Sequence, residues 1–273
     1  MTKHPYLLGT IAGDTIGSIY EFNPTKDYDL FLISSHMEYT DDSILSIAVA
    51  EWLMDDDSLS KEKLIERLQY WGRTYRDPMG SYGNMFYQWI FSENPQPYNS
   101  WGNGSAMRVS AVGFAFNSMD ETRKAARISA EITHNHPEGI KGAEATAAAI
   151  FMARTGSTKN EIRKYITSEF GYNLNYTCKD IHASYSFEAS CQETVPQSIV
   201  AFLDSKNYED AIRLTISLGG DADTMGAITG AIAFAYYKEM PDEIADFVLS
   251  KLPDDLKTVV SRFDEYVDKK LEV

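Results

Sequence analysis

Apolar residues recur along this chain mostly at three- and four-residue intervals, the spacing of one face of an α-helix. Ile44, Leu45, Ala48 and Trp52 follow it, as do Ala125, Ile128 and Ile132 in the segment that starts at Asp120. Residues 138–154 are rich in alanine, with Ile150 and Phe151 near the end, a composition that lets helices approach closely. Residues 158–170 are amphipathic, with Ile162, Tyr165 and Ile166 on one side and Lys159, Glu161, Arg163 and Lys164 on the other. Ser157 or Thr158 can cap that helix, and Glu161 stands at capping-box distance from Thr158. Further helices are predicted at about 195–203, 208–217, 223–237, 241–251 and 254–268, with Pro241 and Pro253 at helix boundaries. Strand signals are weak, the best being a short, loose alternation over 181–187. The pattern predicts an all-α fold, a single domain over 1–273 built from roughly ten or more helices. Long loops are expected at 23–39, 76–107 and 171–192, the middle one carrying Gly80, Gly83, Pro95, Pro97, Gly102 and Gly104. Loops of that length in a compact domain are more often functional than decorative.

Two acidic clusters stand at helix starts. Thr40-Asp41-Asp42 precedes the apolar run from Ile44, and Asp221-Ala222-Asp223-Thr224 follows Gly219-Gly220. Helix capping explains each on its own, because Thr and Asp at a helix start accept backbone N–H bonds and suit the helix dipole. The two glycines permit a sharp turn before the second cluster. If the clusters meet, four carboxylates repel unless cations neutralise them. Hard divalent ions such as Mg²⁺ or Mn²⁺ prefer such an all-oxygen shell. Together the clusters point to a metal site, for one ion or two, assembled from opposite ends of the sequence. The spacing is not that of an EF-hand.

Three other segments carry candidate chemistry. Gly13-Asp14-Thr15-Ile16-Gly17-Ser18-Ile19-Tyr20-Glu21 has glycines suited to close helix packing or a nearby ligand. No strand precedes it and its glycine spacing is wrong for a dinucleotide fingerprint. Asp14 reads as a residue that packs or supports others, and Glu21, taken alone, as a solvated carboxylate at a helix-to-loop junction. The loop Ser100-Trp101-Gly102-Asn103-Gly104-Ser105-Ala106-Met107-Arg108 offers backbone N–H groups that can cradle phosphate oxygens, and Trp101 can stack on a base or sugar. A plain glycine turn into a helix explains it equally well. Thr133-His134-Asn135-His136-Pro137-Glu138-Gly139 closes one helix and opens the next. No third Cys or His at finger-like spacing supports zinc, so these histidines read as capping or hydrogen-bonding groups, with His134 kept as a ligand contact.

Composition narrows the function classes. The 273 residues carry 44% hydrophobic and 24% charged side chains, ordinary for a globular protein. The formal net charge of −15 argues against nonspecific nucleic-acid binding. An anionic small molecule is still admissible, held by backbone amides, helix N-termini and metal ions. The two cysteines, Cys178 and Cys191, exclude a disulfide framework and fit a reducing, cytoplasmic location. The N-terminus lacks the apolar core of a signal peptide. No apolar run reaches the roughly 20 residues of a membrane span.

These segments, taken in order, resemble the ADP-ribosylglycohydrolase family, which includes the dinitrogenase-reductase-activating glycohydrolases and the ADP-ribosylhydrolases. The matching motifs are Gly13–Glu21, Tyr39-Thr40-Asp41-Asp42-Ser43, the Trp101–Arg108 loop, Thr133–Gly139 and Leu218-Gly219-Gly220-Asp221-Ala222-Asp223-Thr224, spanning residues 9 to about 237. The resemblance implies a binuclear Mg²⁺ or Mn²⁺ centre in a cleft of an all-α fold. Its ligands would be Thr40, Asp41, Asp42, Asp221, Asp223 and Thr224, with Asp223 the bridge. It implies that Gly102, Asn103, Gly104 and Ser105 contact the pyrophosphate and adjoining ribose, that His134 lies near the diphosphate, and that Glu21 is a mobile carboxylate beside the substrate ribose. The separate acidic residue of certain arginine-specific members has no match, so the general acid/base stays open between Glu21 and a metal-bound aspartate such as Asp42 or Asp223. The implied activity is hydrolysis at ribose C1″, releasing ADP-ribose from an ADP-ribosylated protein side chain or a small acceptor. Two alternatives share the scaffold: an inactive ADP-ribose-binding or structural protein, as the likeness to some lens crystallins suggests, and a hydrolase of another ADP-ribose-like molecule. Acceptor linkage and oligomeric state lie outside the motifs.

Overall fold

The computed structural model describes residues 4–271. Its helices, in chain order, are α1 (Leu8–Gly17), α2 (Asp41–Asp55), α3 (Lys61–Thr74), α4 (Asn84–Phe91), α5 (Gly104–Met107), α6 (Ser110–Ala115), α7 (Met119–Glu131) and α8 (Pro137–Arg154). They continue with α9 (Lys159–Phe170), α10 (Cys178–Ile181), α11 (Cys191–Asp204), α12 (Tyr208–Ile216), α13 (Ala222–Tyr237), α14 (Asp242–Lys251) and α15 (Asp254–Leu271). The fold is all-α. Among the described residues there is no strand, only the isolated bridges Thr40–Met79 and Gly102–Ser190.

The helices sort by how their apolar residues are arranged. α2, α8 and α13 are apolar nearly all round and form the interior; every residue of α13 from Ala222 to Ala235 is buried. α3, α7 and α15 carry an apolar stripe, such as Leu256, Val259, Val260, Phe263 and Val267, and lie outside with their charged faces in solvent. α9 opens on the expected capping box: Glu161 N–H donates to Thr158 Oγ1 (3.3 Å), and Thr158 N–H donates to the Glu161 carboxylate (2.8 Å). It ends at Gly171 with φ +70°. Both cysteines are free and buried.

The predicted long loops are partly helical. Residues 76–107 contain α4 and α5, and 171–192 contain α10. α4 has no side-chain cap after Gly83, so nothing local announces it; Phe86, Trp89 and Ile90 hold it by packing. The loose alternation over 181–187 forms no strand.

One helix pair decides where the two ends of the chain meet. α1 crosses α13 with glycines on both contact faces. A Cβ on Gly13 would lie 1.9 Å from Gly226 O, one on Gly17 2.3 Å from Ala222 O, and one on Gly230 2.2 Å from Gly9 O. Backbone therefore packs on backbone. Asp14 on α1 and Asp221 to Thr224 at the start of α13 are brought to one point by that contact.

Candidate functional site

The cleft opens where α1, α2, α13, the 76–83 loop and the 98–108 segment converge. It has a volume of about 420 Å³. Glu21, Asp41, Asp42, Asp221, Asp223 and Thr224 line one end; Tyr98, Gly102, Asn103, Gly104, Arg108 and His134 line another. The two acidic clusters, 180 residues apart in sequence, thus share one wall with the Gly102–Gly104 loop.

Asp14 organises the first cluster. Fully buried, it accepts from Thr40 N (3.0 Å), Thr40 Oγ1 (2.6 Å), Ser43 N (3.1 Å) and the Ser43 hydroxyl. Four donors on one carboxylate fix the start of α2 against α1. Burial still raises its pKa to about 6, against the opposing pull of those bonds. Thr40 does cap α2, accepting from Asp42 N at 3.2 Å. It lies beneath the cleft surface rather than on it. Capping does not account for the second cluster, since Asp221 makes no side-chain cap bond to α13. Instead Asn103 Nδ2 donates to Asp221 Oδ2 at 2.7 Å. Gly219, at φ +68°, makes the expected turn before it.

Six carboxylates converge: Asp14, Glu21, Asp41, Asp42, Asp221 and Asp223. Oxygen atoms of Asp14, Asp42 and Asp223 lie within 4.8 Å of one another, and so do those of Glu21, Asp221 and Asp223. Asp223 belongs to both trios; Asp41 belongs to neither. Among the described residues none of the six pairs with a lysine or arginine. Burial first, then mutual repulsion, drives Asp41, Asp42 and Asp223 well above the usual carboxylate range. Asp221 rises to about 6, and Glu21 to about 8 through burial and the neighbouring Asp223. Asp42 Oδ1 and Glu21 Oε2 are buried without a hydrogen-bond partner. Buried, crowded, unpartnered oxygens of this kind fit hard divalent cations. Thr224 Oγ1 stands 3.4 Å from Asp42 Oδ2. Gly80, at φ +80°, closes over Glu21: a Cβ there would lie 2.8 Å from Glu21 Oε2.

At the other end, Asn103 N–H donates to Ala189 O (2.8 Å) and Cys191 N–H to Trp101 O (2.9 Å), pinning the glycine loop to the start of α11. Ser105 is turned away from the cleft; its buried hydroxyl donates to Gly139 O at 2.7 Å, tying the loop to α8. His134 Nε2 faces Gly102 and Gly104, where added Cβ atoms would lie 3.6 Å and 3.2 Å away. Burial and the adjacent Arg108 hold its imidazole well below the ordinary range, hence neutral. His136 caps α8, its Nδ1 accepting from Glu138 N at 3.1 Å. Arg108 also lines the cleft and is fully buried, a placement that nothing in the local sequence at the end of its motif announces.

The family model for ADP-ribosylglycohydrolase matches residues 5–270. This chain belongs to the ADP-ribosylglycohydrolase family. Within it, the chain is 25% identical to "ADP-ribosylhydrolase ARH3" from Homo sapiens, over 85% of this chain and 84% of that protein. It is 24% identical to "ADP-ribosylarginine hydrolase Tri1" from Pseudomonas putida (strain GB-1), over 95% of this chain and 78% of that one. A solved structure titled "ADP-ribosylglycohydrolase-related protein complex" superposes with a TM-score of 0.73 at 21% identity, covering 96% of both chains, and shares the fold. Among the described residues no helix is long and apolar enough to cross a membrane.

Proposed function

We propose that this ADP-ribosylglycohydrolase-family protein is a metal-dependent hydrolase that cleaves the bond at ribose C1″ and releases ADP-ribose from a protein side chain or a small acceptor. The observation that carries the reading is the double carboxylate trio with Asp223 common to both. Asp41, Asp42, Asp221 and Asp223, with the Thr224 hydroxyl, would hold two Mg²⁺ or Mn²⁺ ions, Asp223 between them, while Thr40, its hydroxyl already bonded to Asp14 and to Asp42 N beneath the cleft, would hold their turn. Asp14 would serve these ligands by holding the 40–43 turn. When bound, such ions supply positive charge that orients ribose oxygens and stabilises charge developing in the transition state.

The chain's own residues take the remaining roles. Glu21 faces the cleft with an unpartnered oxygen and a pKa raised to about 8. Protonated at neutral pH, it would give its proton to the leaving group as the C1″–acceptor bond breaks, and the carboxylate so formed would take one from the attacking water. The backbone amide of Gly104 and His134 Nε2 would receive the diphosphate, the amides of Gly102 and Asn103 being engaged by Ser100 Oγ and Ala189 O. Asn103 keeps Asp221 oriented between the two ends. The same reading treats 1–273 as one domain, since α1 and α13 depend on each other for burial.

The test is hydrolysis of arginine-, serine- and asparagine-linked ADP-ribose and of O-acetyl-ADP-ribose, each with Mg²⁺, Mn²⁺ or EDTA. Wild type should turn over at least one linkage only with metal. Asp223→Asn should lose on the order of 10³-fold in kcat/KM. Full activity of that variant under chelation, or binding of ADP-ribose with no turnover of any linkage, would overturn the proposal.

A further inference from the structure

One charged side chain in the cleft has no part in the chemistry above. Arg108 is fully buried and, among the described residues, makes no ion pair with a carboxylate. Burial lowers its pKa only to about 10, so it stays protonated at neutral pH. Its Nη2 donates to Ser129 O (2.7 Å) and to Thr133 Oγ1 (2.8 Å), and its guanidinium carbon sits 5.7 Å from the Phe86 ring centroid. Its Nε has no hydrogen-bond partner. Thr133 Oγ1 in turn lies 2.7 Å from His134 Nδ1.

The geometry points to a proton-ordering relay, Arg108 to Thr133 to His134, that fixes His134 as the Nε2–H tautomer and so presents a donor to the diphosphate. A guanidinium can only donate. The two hydrogens on Nη2 go to Ser129 O and Thr133 Oγ1, so the threonine oxygen must accept there. Its own proton then goes to His134 Nδ1, the remaining hydrogen-bond partner of that hydroxyl. Nδ1 accepts, and the single proton of the neutral imidazole sits on Nε2. Nε2 faces Gly102 and Gly104, the loop proposed to receive phosphate oxygens. The opposite tautomer would point a lone pair at an anion and strand the threonine proton without an acceptor. A neutral, pre-set donor has two consequences. It does not depend on pH across the neutral range, and it adds no positive charge beside the metal ions. Arg108 and Thr133 are therefore positioning residues, acting through His134 rather than on the substrate.

The inference rests on the ADP-ribose reading for its purpose, but its tautomer readout does not. Full-length protein labelled with ¹⁵N at histidine reports the tautomer of each ring by long-range ¹H–¹⁵N couplings, and the peak lost in His134→Gln identifies this one. Wild type should show Nε2 protonated and Nδ1 bare, unchanged between about pH 6 and 8. Thr133→Val should populate the Nδ1–H form and weaken ADP-ribose binding by about tenfold, the weight of one hydrogen bond to a charged group. Thr133→Ser should restore both, and Mn²⁺ affinity should be the same in all three. A role in stability alone would lower the melting temperature and leave the tautomer alone. An Nδ1–H imidazole in wild type, or a Thr133→Val protein that keeps both the Nε2–H form and its ADP-ribose affinity, overturns the relay. Should Thr133→Val fail to fold, the wild-type spectrum decides by itself. Wild type that shows the expected tautomer but does not bind ADP-ribose counts against the proposed function and not against the relay.

Discussion

The glycine contact between α1 and α13 can be tested by one methyl group. In Gly13→Ala the new Cβ meets Gly226 O at 1.9 Å, and side-chain carbons essentially never approach within 3.0 Å. The two helices must part by about 1 Å. What stands in the way is backbone on an all-buried helix, which cannot swing aside as a side-chain tip can. Overpacking a tight core costs about 1–3 kcal/mol. A mid-helix Gly→Ala gains back up to about 1 kcal/mol of helix propensity. The net loss expected is about 1 kcal/mol, or roughly 2–4 °C in Tm for a domain near this size. The displacement also separates Asp14, the next residue, from Asp221 and Asp223, so Mn²⁺ binding should weaken by about tenfold or more. Thermal unfolding in EDTA measures the first effect and calorimetric Mn²⁺ titration the second. Gly83→Ala is the control, because a Cβ there meets nothing within 4 Å. If Gly13→Ala melts within about 1 °C of wild type and binds Mn²⁺ as tightly, then the glycines do not hold the acidic clusters in register.

Other consequences can be measured separately. Asn103→Ala removes the 2.7 Å bond to Asp221 and should weaken Mn²⁺ binding by about 10–100-fold with little change in unfolding; an unchanged titration would show that Asp221 is oriented by something else. Asp264, on the inner side of α15, accepts from Tyr6 N at 2.8 Å, and burial pushes its carboxyl up to about 6. The folded protein therefore keeps a proton that an unfolded aspartate releases near pH 3.9, and stability falls as pH rises from about 4 to 6. With partial exposure that slope amounts to about 1–2 kcal/mol over the window. The raised cleft carboxylates add to the same slope, so Asp264→Asn should reduce it in urea unfolding curves by that share, and a variant with the full wild-type slope would show that Asp264 contributes nothing to it.

Much of this site is readable from local chemistry. The threonine and acids before Ile44, the glycine pair before Asp221 and the glycine loop before Arg108 each announce a turn into a helix. Helical periodicity likewise marks the amphipathic segments, and the capping box of Thr158 and Glu161 forms as its spacing dictates. α4 escapes that reading because it lacks a cap and is stabilised through Phe86, Trp89 and Ile90 against its neighbours. Ser105 illustrates the opposite limit. The family resemblance implies a ligand contact for it, yet the orientation of one Cα–Cβ bond sends its hydroxyl to Gly139 instead.

By itself, then, the sequence determined the secondary-structure class, the turns that present the acids, and the family, because these depend on residue types at short spacing. Only the tertiary structure decided which carboxylates share an ion-sized space. Glu21 reads as a surface acid until the 76–83 loop covers it. Asp14 reads as packing until Thr40 and Ser43 are seen to donate to it. Asp223 becomes common to two trios only because methyl-free faces let α1 and α13 touch backbone to backbone. Repulsion between carboxylates from opposite ends of a chain is a property of distance, and distance across that many residues is set by packing.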